Sequence, residues 1–288
     1  MRAGPLSNPK VIELLNQYFV PVTSQNELVA EDNSPGPPAE KAERKRIYLY
    51  FYGYKLGIGD VHVYIVAPNG NGIKSLDISN ATNTDHMVAF LNSIVQEQHL
   101  TPGPPAVKPH PTSVAPEAPA DSFVMHLVSR SMQGGSWHEF PAENWIVLSK
   151  SETAQLLPAG TPARGATWQV PKPVAVKLVE WFYPQNEEKT GANRSRVDLA
   201  DLRMTVTTLE NGLARARIAG KVVLQHSFYP NGKSEDLAAS ELEGYIDFRV
   251  ADRTIQRLRL VTDKAAYNGT PFRTSLVSMS RETLDALK

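Results

Sequence analysis

The side chains best suited to chemistry gather in one stretch, Gly134-Gly135-Ser136-Trp137-His138-Glu139-Phe140-Pro141-Ala142-Glu143-Asn144-Trp145. His138, Glu139 and Glu143 are the residue types that hold a divalent metal or work as an acid–base pair. Trp137 and Trp145 beside them could rim a ligand mouth or plug a sheet edge. Spacing restrains the chemical reading: neither His-x-x-x-His nor His-Glu-x-x-His occurs, and Gly135-Ser136-Trp137 does not continue into the Gly-x-Ser-x-Gly of a nucleophile turn. The segment therefore reads first as a packed plug and second as a ligand mouth. His62, with Val61 beside it, is the other candidate. It could face a groove as a proton donor or metal ligand, or sit in a strand with a neighbouring carbonyl as its partner. No catalytic, metal or cofactor set is assigned on this basis.

Composition removes whole classes of chemistry. None of the 288 residues is cysteine, so the chain has no thiolate metal site, disulfide or cysteine nucleophile. Thirty basic residues balance thirty acidic ones, which argues against a nucleic-acid binder driven by phosphate neutralisation. Apolar runs are only a few residues long, so no membrane span is expected. Residues 1–7 have neither the charged start nor the apolar stretch of a signal peptide.

The elements that must position these residues fall into two parts. Between 101 and 121 lie seven prolines, Pro102, Pro104, Pro105, Pro109, Pro111, Pro116 and Pro119. Such a segment buries little and has fixed φ angles, so it reads as a semi-rigid spacer reaching roughly 60 Å if fully extended. Domains are expected at 1–100 and 122–288. In the first, Asn8-Pro9 starts a helix carrying Val11, Ile12, Leu14, Leu15 and Phe19 at helical spacing. A strand is expected at 19–22, a helix at 39–55, a hairpin at 61–66 and 73–78 around Pro68-Asn69-Gly70-Asn71-Gly72, and a helix at 83–100. The basic residues Lys41, Arg44, Lys45 and Arg46 read as a solvated helix face.

The second part reads as mainly antiparallel β with short helices at 151–157 and 173–183. Strands are expected at 123–128, 202–209, 214–219, 222–229, 241–250, 255–262 and 272–279. Alternation of Leu242, Ile246 and Phe248 with Glu243, Tyr245 and Asp247 predicts one buried and one wet face. Arg215, Arg217, Arg257 and Arg259 are expected to pair with acidic residues across strands rather than to form a ligand-binding stripe. Three Asn-x-Ser/Thr patterns begin at Asn80, Asn193 and Asn268; such short patterns arise often by chance.

The words Asn8–Val22, "NPKVIELLNQYFVPV", and Val61–Asn71, "VHVYIVAPNGN", in this order and spacing resemble the thioredoxin-like family, in particular its extracytoplasmic bacterial members. The resemblance covers about residues 4–100. It implies an α/β domain with a central sheet, flanked by helices and descended from thiol–disulfide enzymes. The chain departs from that pattern in three ways. It has no Cys-x-x-Cys, only seven residues precede the first helix where the family has a strand, and no proline stands at the cis-proline position near His62. The expectation is that a first strand, and any leader and cysteines, lie upstream. The region after the linker resembles uncharacterised regions that accompany such domains.

Three functions follow as expectations. The first is a non-catalytic thioredoxin-like binding or scaffold protein with an appended β-rich domain, probing a protein or small-molecule ligand outside the cytoplasm (periplasmic or secreted); without a removed leader, the setting would be cytoplasmic. The second is the body of a thiol–disulfide oxidoreductase whose Cys-x-x-Cys lies upstream. The third is a small-molecule carrier whose β-rich domain encloses an apolar pocket lined by Phe228, Phe248 and Leu258. No cofactor, nucleic acid or membrane span enters any of them.

Overall fold

The computed structural model describes residues 4–22, 37–58, 62–104, 115–133, 139–183, 196–225 and 237–287. The chain divides into two compact units, Met1–Pro109 and His110–Lys288. It is a mixed α/β protein with one small and one large antiparallel sheet.

In the first unit a 3-10 turn, Pro5–Ser7, precedes helix α1 (Pro9–Tyr18). The Asn8 side chain accepts a hydrogen bond from the Lys10 N–H at 2.9 Å, and Pro9 supplies a first helical residue that needs no donor. Helix α2 (Pro38–Gly53), strands β1 (Val63–Val66) and β2 (Gly72–Leu76), helix α3 (Ile78–Ala81) and helix α4 (Thr84–Glu97) follow. Met87, Leu91 and Ile94 form one stripe of α4 and are buried with Val11 of α1 and Ile65 of β1. The β1–β2 turn uses Gly70 at φ +85°, a conformation that glycine adopts without strain. Arg46 of α2 donates to the Gly70 carbonyl at 2.9 Å while it pairs with Glu43. That arginine is thus a fastener between helix and turn, not only part of a solvated face.

The expected strand at 19–22 does not form. Phe19 is extended, but no strand lies alongside it among the described residues, and Val20 and Val22 are 83% and 82% exposed. Pro21 lacks the N–H that a ladder would use. Among the described residues the sheet of this unit is the β1–β2 hairpin alone, smaller than the central sheet expected. The short helix α3, capped by Asp77, also was not foreseen.

The described ends of the proline-rich segment are anchored. The Gly103 N–H donates to the Gln17 carbonyl at 2.8 Å. Ala115 is buried with Val124 and Leu284, and Ala118 packs against them. Residues 105–114 lie outside the described residues.

The second unit contains β3 (Phe123–Ser131), β4 (Ala142–Leu148), α5 (Lys150–Ala154), β5 (Thr167–Gln169), α6 (Lys172–Val179), β6 (Arg196–Glu210), β7 (Leu213–Gln225), β8 (Leu237–Arg249), β9 (Thr254–Tyr267), β10 (Thr270–Ser278) and α7 (Arg281–Ala286). Eight strands form one sheet in the order β4-β3-β10-β9-β8-β7-β6-β5, with every neighbour antiparallel. Asn211-Gly212 and Asn268-Gly269 take positive φ and turn β6 into β7 and β9 into β10. The buried face carries Leu202, Met204, Ile218, Leu242, Ile246, Phe248, Leu258, Leu260 and Leu276, and α6 covers it with Val174, Ala175, Leu178 and Val179. On the wet face Arg215 pairs with Asp247 at 2.6 Å and Arg217 with Glu243 at 2.9 Å, as expected. Arg257 and Arg259, however, have no acid partner among the described residues: Asp247, opposite Arg257, is taken by Arg215, and Arg259 lies opposite Tyr245.

Three strand expectations change. Residues 142–145, expected in a Trp-rich plug, form strand β4 together with 146–148, and β5 has no counterpart among the expected strands. Residues 214–219 and 222–225 belong to the single strand β7; 226–229 lie outside the described residues. Gly220, which lies between the two expected strands, is a point of close approach. It stands opposite Leu202 of β6 and Leu242 of β8, and a Cβ there would overlap the Asp201 carbonyl oxygen and lie 2.8 Å from Leu202 Cδ2. Gly220→Ala should therefore lower stability by about 1–3 kcal/mol. Urea unfolding would show this as a lower midpoint at unchanged slope; an unchanged midpoint contradicts the close approach.

Candidate functional site

Strand β4 is the long edge of the large sheet: β3 pairs with one side of it, and no described strand pairs with the other. The opposite edge strand, β5, has only three residues. An edge of seven residues presents a row of backbone donors and acceptors to whatever lies beside it. Here it borders a groove of about 480 Å³, lined by Asn144, Trp145, Ile146 and Val147 on one side. The other side is helix α6 and the residues that follow it, with Pro173, Val176, Lys177, Glu180 and Trp181.

Helical spacing explains how α6 serves two surfaces. Val174, Ala175, Leu178 and Val179 point into the core, while positions 173, 176, 177, 180 and 181 repeat every three or four residues along the adjacent face. Pro171 and Pro173 set its start. The chain beyond it is tied down by the Phe182 carbonyl, which accepts hydrogen bonds from the Ser129 hydroxyl of β3 at 3.2 Å and from Thr274 of β10. Trp181 donates its indole N–H to Glu180 at 3.1 Å.

Helix α5 steadies α6 from the side. The Ser149 side chain and Glu152 form a reciprocal capping box, and Lys177 of α6 donates to both Glu152 oxygens at 2.9 and 2.8 Å. The Lys177 hydrogen bond first, and the Ser149 N–H second, hold the Glu152 carboxyl below its ordinary value.

The outer face of β3 and β4 adds a polar group beside the groove. Glu143 accepts from or shares a proton with His126 Nε2 at 3.0 Å, and the His126 ring stacks on Trp145 with centroids 4.5 Å apart. Both members of the pair are half-buried. Register places His126 opposite Trp145 and Val128 opposite Glu143, so the pair is diagonal.

The sequence candidates are distributed as follows. Glu143 and Trp145 lie together on β4, and Glu139 is exposed in the bend before it. Val61, Trp137 and His138 lie outside the described residues, as do Phe228 and Asn193. His62 belongs to the first unit, half-buried, stacked on Tyr64 at 5.5 Å, with Nδ1 buried and without a hydrogen-bond partner. The carbonyl partner foreseen for it is thus absent at that nitrogen among the described residues. Asn80 is engaged by Asp77 at 2.7 Å and by His86 at 2.9 Å. Among the described residues no group of three His, Asp or Glu side chains is disposed to hold a metal. Sequence reading passed over His126, Lys177 and Trp181. Alternation of Val124, His126 and Val128 marks an outer-face position, but only the β3–β4 register shows which acid meets it.

Comparison with protein-family models, with curated proteins and with solved structures gave no match.

Because Glu152 titrates lower when folded, its contribution is complete above the ordinary value near 4.5 and is lost as pH falls below it. Glu152→Gln should cost up to about 1 kcal/mol near neutral pH, nearly all of it from the ion pair with Lys177, since a glutamine oxygen can still accept from the Ser149 N–H. The gap from the unchanged chain should close in acid. Denaturant titrations at several pH values read this directly, and a gap that stayed constant into strong acid would contradict the assignment.

Proposed function

We propose that this chain is a non-catalytic binding protein whose ligand seat is the groove between β4 and α6, and whose ligand is an extended polypeptide segment. The observation that carries the reading is the seven-residue edge of β4, along which no described strand runs, facing a groove shared with a helix. An extended segment laid along that edge continues the sheet. Its backbone groups pair with β4, while alternate side chains turn toward or away from the floor of Ile146 and Val176. Trp145 and Trp181 supply large, rigid surfaces on opposite walls, the residue type that most often dominates peptide affinity. A volume near 480 Å³ is in the range of ligand sites.

Two other readings have less support. Phe248 and Leu258, expected to line a carrier's pocket, belong to the continuous core covered by α6. The oxidoreductase reading has no thiol in this chain to act with. The thioredoxin-like resemblance of residues 4–100 and the extracytoplasmic setting it implies remain part of the proposal. They rest on the words Asn8–Val22 and Val61–Asn71, while the strand expected between the first two helices does not form.

Selection from a random peptide library on the full chain tests the reading, with counter-selection on a Trp145→Ala/Trp181→Ala variant. Enriched peptides should slow amide exchange at residues 144–147. Trp181→Ala alone should weaken them about tenfold, the usual scale for an aromatic anchor, and N-methylation of alternate peptide amides should abolish binding. Peptides that bind the double variant equally well, or that protect amides elsewhere, would overturn it.

A further inference from the structure

We propose that Arg130 and Arg273, on the outer face of the large sheet, form a binding site for a doubly charged oxyanion of the phosphate type. The two residues are direct register partners on β3 and β10. Both are exposed, and their neighbours in each strand, Ser129 and Ser131, Phe272 and Thr274, are buried on the other face. Residues directly opposite across an antiparallel pair have Cβ atoms about 4.5–5.5 Å apart, and like charges there are destabilising.

On this face Arg257 and Arg259 also lack an ion pair among the described residues, but Arg130 and Arg273 are arginines paired with each other in register. On β7 and β8 the arginines face carboxylates, Arg215 with Asp247 and Arg217 with Glu243. Neither Arg130 nor Arg273 has an ion pair or side-chain hydrogen bond among the described residues. The acids in reach are occupied or displaced. Glu143, two residues along from the position opposite Arg130 on β4, is held by His126 at 3.0 Å. Asp263 sits at the irregularity between β9 and β10, beside Lys264, which pairs with Glu241 at 3.2 Å. Register and exposure put both side chains on one solvent face, where their guanidinium groups can reach one shared ligand. A tetrahedral dianion can accept from both at once, which removes the repulsion and adds charge-assisted hydrogen bonds. A single carboxylate would neutralise only half of the charge. The site is separate from the groove at β4, and it does not depend on what that groove binds.

Inorganic phosphate is the probe, titrated into the full chain above neutral pH with sodium chloride holding ionic strength constant. Arginine Nε–H resonances should shift saturably for Arg130 and Arg273. Those of Arg259, an exposed arginine on the same face that lies opposite Tyr245 and Val277, should stay in place. Arg130→Gln or Arg273→Gln should weaken phosphate at least tenfold. Each should also raise the thermal midpoint at low ionic strength without phosphate, because the like-charge contact is gone. Arg130→Lys should keep the repulsion but lose most of the affinity. Three results would overturn the proposal: linear shifts shared by Arg259, chloride acting as well as phosphate, or unchanged affinity in the two glutamine variants.

Discussion

A sheet of eight antiparallel strands must hide its apolar face, and here the helix that does so is only eight residues long. Much of the second unit depends on where that helix is held. Ser129 and Thr274 are 1% and 3% exposed, on a mostly apolar surface. Buried hydroxyls are tolerated when they are hydrogen-bonded, and both find the Phe182 carbonyl just past α6. The same contacts satisfy a carbonyl near a helix end, where backbone acceptors are left over. One small polar cluster thus sets the position of α6 over β3 and β10. Leu178 and Val179 fill the core below, and Val176 and Trp181 stand at a fixed place beside β4.

What could be read in the residues divides along physical lines. Strong local signals survived folding: Asn211-Gly212 and Asn69-Gly70 make turns, Asn8-Pro9 starts α1, and the alternation from Leu242 to Phe248 gives one buried face. Features that depend on distant partners did not show. Strand β4 was hidden because Glu143-Asn144-Trp145-Ile146 has the composition of a ligand loop, and its strand character comes from pairing with β3. His126 gains its role from an acid 17 positions away. The groove itself joins residues 144–147 to 173–181, a juxtaposition that periodicity within either segment does not contain.

The first unit shows the opposite failure. Phe19-Val20-Pro21-Val22 has the composition of a buried strand, yet composition makes a strand only when a neighbour supplies the other half of the ladder. Among the described residues the hairpin β1–β2 stands by itself. A two-stranded ladder is marginal in water. Its stability comes from the side: Ile65 reaches the stripe of α4, and Arg46 clasps the turn. The small sheet is held by its helices rather than the reverse.

The edge of β4, along which no described strand runs, has a consequence for self-association. An unprotected edge is a template without a stopping point, since each added strand exposes a fresh edge of its own. Fibrillar growth follows when nothing interrupts that recursion. Helix α6 stands across the groove as a wall, with Lys177 and Glu180 on its near face. A strand laid along β4 shares the groove with these side chains, which leaves little room there for a second. An open-ended template thereby becomes a slot of finite capacity, and the helix that fills the core also limits the valency of the edge.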